Sequence, residues 1–237
     1  MTGGAAESPS GSTRPVEGPT RSTRPVEGPV GLAIRRRRMT RAFAPEPLDP
    51  ELVTRLLDNA RRAPSAGNCQ AAGFVLLDTP ELVGRYWDTT LPVERREGFR
   101  WHQLLDAPVL AIVTTEPGRY PARYGEPDKV ATGRDTADRW PVPYWWVDAG
   151  AVAQNLLLLA VEEGLGACLF GPFDHEPALK EEFGVESSRR LVATIALGHR
   201  LDEGSPEEPG RSAGRPRRPL TEVVIRPTSG PTRSPAD

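Results

Sequence analysis

The stretch Val147-Asp-Ala-Gly-Ala-Val-Ala-Gln-Asn-Leu-Leu-Leu-Leu-Ala-Val-Glu-Glu163 decides the fold class. Its uncharged apolar run, Ala149 to Val161, is too short to cross a bilayer and reads as a helix buried in a core. On its C-terminal side comes Gly164-Leu-Gly-Ala-Cys-Leu-Phe-Gly-Pro172, whose glycines suit a helix C-cap followed by a strand-like run passing close to a ligand. A shorter helix is expected from Glu176 to Phe183, a strand over Leu191–Leu197, and a late edge strand over Thr221–Ile225. On the N-terminal side, Ala107-Pro-Val-Leu-Ala-Ile-Val-Thr114 reads as a fully buried strand and Gly73–Leu77 as another, closed by Asp78-Thr-Pro80. Before them, Asp49 and Pro50 form a helix start, with Leu52, Val53, Leu56, Leu57 and Ala60 at helical spacing and a stop near Arg62, ahead of Pro64. Strands alternating with helices make the class mixed α/β.

The chain has 237 residues, and its apolar stretches lie between Leu48 and Ile225, enough for one domain with a sizeable core. The domain is expected over residues 31–226. Residues 1–30 form a disordered tail in which Ser12-Thr-Arg-Pro-Val-Glu-Gly-Pro19 recurs as Ser22-Thr-Arg-Pro-Val-Glu-Gly-Pro29, a Pro-rich octamer that buries no face. The polar segment Asp202–Arg215 is expected as a loop and residues 227–237 as a flexible tail. A net charge of −2 gives no global field toward nucleic acid or an anionic membrane. Cys69 and Cys168 have neither metal-ligand nor disulfide-framework spacing, which suits reduced thiols in a cytoplasmic protein. Lys129 and Lys180 are the only lysines, a codon bias rather than a functional signal.

Residues 116–146 differ from the rest. Five prolines there are mixed with Tyr120, Tyr124, Trp140, Tyr144, Trp145 and Trp146. A connection that long is usually functional or disordered, and disordered segments are poor in aromatics. It reads as a lid or substrate-facing insertion, the alternative being a surface excursion packed on the core.

Three groups of residues are candidates for chemistry. Arg35 to Arg38 with Arg41 place five arginines in seven positions, suited to gripping a phosphate and also to a solvated face. Ala63-Pro-Ser-Ala-Gly-Asn-Cys-Gln70 sets Ser65, Asn68 and Gln70 on a turn between helix and strand, where Gly67 allows close backbone approach. Such a turn suits the polar edge of a flat heterocycle, or is an ordinary connection. Gly164–Pro172 is the third. There is no GxxxxGK and no GxGxxG after a strand, so neither a P-loop nor a Rossmann site is supported. His102, His175 and His199 stand apart, and there is no G-x-S-x-G elbow, so an enzyme built this way draws its chemistry from a cofactor.

Taken in order, these segments resemble the FMN-dependent nitroreductase family from about Ile34 to Val224. Arg37-Arg38-Met39-Thr40-Arg41-Ala42-Phe43 is similar to its R-R-S-x-R-x-F, and the Ala63–Gln70 turn to its A-P-S-x-x-N-x-Q. Asp148-Ala-Gly-Ala-Val-Ala-Gln-Asn-Leu-Leu-Leu-Leu159 with Glu163-Gly-Leu-Gly166 resembles its D-x-g-x-a-x-Q-N helix and G-L-G ending. Leu197-Gly-His199 and Arg215-Pro-Arg-Arg-Pro-Leu-Thr-Glu-Val223 are similar to its l-G-y and k-x-R-x-p-l-x-e-v. Met39 stands where the family has Ser, and Ala71-Ala72 where it has a Pro-aromatic pair.

The resemblance implies an α+β fold, a mostly antiparallel sheet flanked by helices, in a domain-swapped homodimer with FMN at the interface. It assigns Arg37, Arg38, Met39 and Arg41, with Arg215 and Arg217 from the far end, to the FMN phosphate and ribityl chain. Ser65, Asn68 and Gln70 would come from the other subunit. Phe170 and Gly171 would face the ring, with the Gly171 N–H toward flavin N5. The implied activity is ping-pong hydride transfer from NADH or NADPH to a small acceptor such as a nitroaromatic or quinone. No side chain is named as catalytic, and no metal is expected. Trp140, Tyr144, Trp145 and Trp146 are the candidate roof of the acceptor pocket. The competing readings are a same-fold enzyme that oxidises a biosynthetic intermediate, or breaks down flavin, with oxygen; a non-catalytic FMN carrier; and a nucleic-acid binder using Arg35–Arg41. The acidic balance and the absence of interleaved aromatics argue against the last.

Overall fold

A computed structural model describes residues 28–201 and 214–227. Nearly all of the repeat-bearing segment, most of Asp202–Arg215 and nearly all of the expected C-terminal tail lie outside the described residues. In chain order the elements are α1 (Pro29–Arg36), α2 (Pro50–Ala60), β1 (Gly73–Leu77), α3 (Pro80–Thr90), α4 (Val93–Arg96), β2 (Val109–Thr115), α5 (Arg119–Tyr124), α6 (Tyr144–Glu162), β3 (Gly166–Phe170), α7 (Glu176–Glu182), β4 (Arg190–Gly198) and α8 (Leu220–Val223). The strands form one sheet in the order β1-β2-β4-β3, every neighbouring pair antiparallel.

The two-residue period of a strand explains the layering. On β2, Val109, Ala111 and Val113 join Ile195 and Leu197 of β4 on one face, where α2 and α6 cover them. Leu110 and Ile112 point the other way, toward Leu77, Val83, Tyr86 and Trp87, with Leu179 of α7. Helices therefore lie on both faces, and all seven residues of β2 are buried. α6 is the central helix; it packs on α1, α2 and strands β2, β3 and β4.

The expected start of α2 is present, with the Asp49 side chain accepting from the Glu51 N–H at 2.9 Å and Pro50 in the first turn. Three expectations are corrected, and one helix went unread. Thr221–Ile225 is not a strand: α8 forms a single helical turn there, braced by Arg218 on Glu222, and among the described residues no strand pairs with it. A strand needs a ladder partner, which local propensity does not supply. α6 starts at Tyr144, so the aromatic triplet 144–146 belongs to the helix and not to a loop. α1 begins at Pro29, two residues before the expected edge of the domain. α3 was not anticipated, although Thr79 caps it by accepting from the Leu82 N–H, Pro80 opens it, and Leu82, Val83, Tyr86 and Trp87 carry helical spacing.

Candidate functional site

The arginine run lies along the outer edge of β3. The Thr40 N–H donates to the Ala167 carbonyl at 2.9 Å, and the Leu169 N–H reaches the Met39 sulfur at 3.4 Å. A methionine thus occupies the position of the family serine and closes an edge N–H through sulfur. Gly166 makes this approach feasible, because a Cβ there would lie 2.7 Å from Thr40 Cγ2. The Arg37–Arg41 run is thereby delivered next to the strand that ends at Phe170.

Arg37 is half-buried, and its Nη1 is buried with no hydrogen-bond partner. Leaving a charged donor unsatisfied in the interior is costly, so the position suits an anionic ligand. Arg38 is exposed and donates to the carbonyls of Arg35 and Arg37 at 2.7 and 3.0 Å. The half-buried Arg41 donates to the Met39 carbonyl at 3.2 Å, and its guanidinium sits 5.0 Å from the Trp101 ring centre.

Arg41, Phe170 and Gly171 line one cavity of about 310 Å³. The rest of its wall is largely aromatic: Tyr86 and Trp87 from α3, Phe99, Trp101 and Phe173. Trp87 stacks on Phe170 with centroids 5.8 Å apart. The indole N–H groups of Trp87 and Trp101 are both buried without partners. Tyr86 is the exception: its hydroxyl bonds Thr194 at 2.9 Å, and burial pushes its pKa up to about 12. Phe173 is 80% exposed with φ +44°, a left-handed backbone unusual for a bulky residue, and it rests against Gly171. A Cβ on Gly171 would meet that ring at 2.8 Å. The wall from α3, Phe99 and Trp101 was not anticipated; the helical spacing over 80–90 was the signal available for it.

Ser65, Asn68 and Gln70 lie on a separate turn. The Ser65 hydroxyl accepts from the Gln70 N–H at 3.0 Å, and Gln70 Nε2 donates to Asn68 Oδ1 at 3.2 Å. Asn68 and Gln70 are exposed. Neither lines the aromatic cavity. Arg215 and Arg217 are exposed, and among the described residues no ion pair involves them.

The aromatic insertion builds its own small core. Trp140 is 7% exposed and packs with Tyr120, Tyr124 and Trp145. Its indole N–H donates to the Arg134 carbonyl at 3.0 Å. Tyr144 is exposed at the start of α6, and Trp146 lies under Arg190, which ion-pairs Glu176. None of Trp140, Tyr144, Trp145 and Trp146 lines the cavity beside Gly171.

The sequence profile of the Nitroreductase family matches residues 34–199, more than half of the chain. This chain belongs to the nitroreductase family. It is 26% identical over 212 residues to an NADH dehydrogenase of Thermus thermophilus, covering 81% of this chain and 93% of that protein. Its fold is like that of NfrA2 from B. megaterium, with a TM-score of 0.64 at 18% identity, covering 86% of this chain and 76% of that one. It is also like that of an FMN-dependent nitroreductase of Clostridium difficile, with a TM-score of 0.54 at 19% identity over 72% and 87% of the two chains. Family membership supports a general role as a flavin oxidoreductase. Among the described residues, no helix is long and apolar enough to cross a membrane.

Proposed function

We propose that this chain binds FMN beside the end of β3 and works as an FMN-dependent oxidoreductase with NADH or NADPH as donor. The observation that carries this reading is one cavity lined by Arg41, Phe170 and Gly171, at the end of the strand to which Thr40 and Met39 hold the arginine run; a buried Arg37 nitrogen in that run lacks a partner. The residues fit the cofactor. Arg37, Arg38 and Arg41 would grip the phosphate and ribityl chain, and Met39 holds that run against β3. The Gly171 N–H is the donor assigned to flavin N5; Pro172 has no N–H to offer. Bound FMN supplies hydride transfer between a reduced nicotinamide and a small oxidised acceptor, such as a nitroaromatic or a quinone.

The protein's part is position, exclusion of water and electrostatics. The aromatic wall of Tyr86, Trp87, Phe99, Trp101 and Phe170 keeps one side of the site dry. One open face used in turn by donor and acceptor gives ping-pong kinetics. Tyr144 is the insertion aromatic most accessible to an acceptor. The working unit is a homodimer with exchanged C-terminal segments, in which Ser65, Asn68 and Gln70 face the partner's flavin and Arg215 and Arg217 complete the phosphate grip. The domain of this reading starts with α1 at Pro29, rather than at residue 31, and runs to about residue 226.

The test is the visible spectrum of the purified protein, recorded before and after reduced nicotinamide is added without oxygen. A yellow protein that bleaches, and recovers when a nitroaromatic or quinone is added, is the expected result. A protein that stays colourless with excess FMN overturns the reading; bound FMN that nicotinamide cannot reduce leaves only a carrier.

A further inference from the structure

We propose that the segment between Glu116 and Trp146 acts on the flavin site by clamping the turn Ser65–Gln70, with Tyr120, Arg123 and Asp148 as positioning residues. The proposal rests on the reading that this turn faces FMN across the dimer.

The turn is conformationally demanding. Gly67, Asn68 and Gln70 all have positive φ, at +60°, +57° and +49°. Two of the three are not glycine, and such backbones persist only where the surroundings over-determine them. The surroundings here come from α6 and the insertion. Asp148 Oδ2, on α6, accepts from the Ala66 N–H at 2.9 Å and from the Tyr120 hydroxyl at 2.8 Å. Arg123 Nε donates to the Gly67 carbonyl at 3.0 Å. That guanidinium is itself fixed by Asp128 at 2.7 and 2.8 Å and by Glu126 at 3.0 Å. The Tyr124 ring closes over Gly67, where a Cβ would lie 2.6 Å from a ring carbon. Cys69 and Ala71 pack beneath with Tyr120 and Trp140.

The grip is therefore on the backbone and the buried side of the turn, while Asn68 and Gln70 project outward. Burial and the Asp148 carboxylate push the Tyr120 pKa upward, so its hydroxyl stays a proton donor throughout the working pH range. Tyr120, Tyr124 and Trp140 are spent on this grip, so these three act on the cofactor through the turn.

The test uses the full-length FMN-loaded protein with Tyr120→Phe, Arg123→Ala, Asn68→Ala and the two doubles that contain Asn68→Ala. FMN affinity and the visible circular dichroism of bound flavin are measured, with hydrogen exchange of the turn in each folded variant. Each single variant is expected to weaken FMN about three- to tenfold, the scale of one lost hydrogen bond. Each double is expected to be no weaker than its worse single, because both changes act through one contact. Exchange at Ala66 should accelerate in Tyr120→Phe while the melting curve stays cooperative. Parent-like affinity and dichroism in Tyr120→Phe and Arg123→Ala, or effects that simply multiply in the doubles, overturn the proposal. So does an unchanged affinity in Asn68→Ala. A parent that binds no FMN overturns the flavin reading itself, and this proposal with it.

Discussion

Two aromatic clusters of this protein look alike in composition and differ in state. Tyr120, Tyr124, Trp140 and Trp145 form a closed cluster. Its buried polar handles are engaged: the Tyr120 hydroxyl by Asp148 and the Trp140 indole by the Arg134 carbonyl. Tyr86, Trp87, Phe99, Trp101, Phe170 and Phe173 surround a cavity of about 310 Å³, with two buried indole N–H groups that lack partners. Buried polar groups are nearly always paired in a finished core. The difference teaches that aromatic density alone does not mark a binding site. Residual space and unmet hydrogen bonds do.

The largest expected effect separates the clusters by stability. Trp140→Ala should cost about 3–5 kcal/mol, the range for truncating a buried large aromatic, and lower the melting temperature by roughly 6–20 °C. Phe173→Ala, at a position 80% exposed, should stay within about 0.5 kcal/mol of the parent. Equal thermal shifts in the two variants would erase the comparison.

Next in size is the arginine with the buried, unpartnered nitrogen. Arg37→Ala should weaken FMN binding by about 1.5–3 kcal/mol while leaving the apoprotein as stable as the parent, since the Nη1 group has no partner to lose. Titration with FMN and melting of the apoprotein measure the two halves. Unchanged flavin affinity would assign the phosphate to other groups.

A finer contrast compares indole with benzene. Trp140→Phe loses a hydrogen bond and should cost about 0.5–1.5 kcal/mol beyond its volume change. Trp101→Phe loses none, retains a ring beneath Arg41, and should cost less. Chemical denaturation of the two variants decides it; a larger loss in Trp101→Phe would mean that its N–H is in use.

The smallest effect concerns the latch that holds Trp146. Arg190 keeps the Glu176 carboxyl below its usual value of 4.5. A lowered carboxylate pKa contributes stability that is full above the ordinary value and lost as pH falls through the lowered one. Glu176→Gln should therefore cost up to about 1 kcal/mol at pH 7, given the partly exposed Arg190, and flatten the dependence of melting temperature on pH below about 4.5. An acid limb parallel to that of the parent would show that the pair contributes nothing.

Much of the scaffold was legible along the chain. Asp49 and Pro50 announce α2, and the apolar runs announce β1, β2 and β4, because caps and side-chain period act within a few residues. α3 carried the same kinds of signal, in Thr79, Pro80 and the spacing of Val83, Tyr86 and Trp87, and was legible in principle. The stretch 221–225 has strand composition and takes a helical turn, because pairing depends on a neighbour that no local pattern names. At the site, the arginine run and the Phe170–Gly171 step were readable as separate pieces. Their meeting was not, since it depends on Thr40 lying against Gly166.

By itself, then, the order of residues determined most of the elements, the buried helix α6, and the family-like motifs that supply arginines and a glycine-bearing strand end. The tertiary structure alone decided which aromatics close on one another and which leave a cavity. The physical reason is distance along the chain. Tyr120 meets Asp148 and Ala66, and Trp87 meets Phe170, across separations at which sequence pattern carries no geometry, and only packing selects the partner.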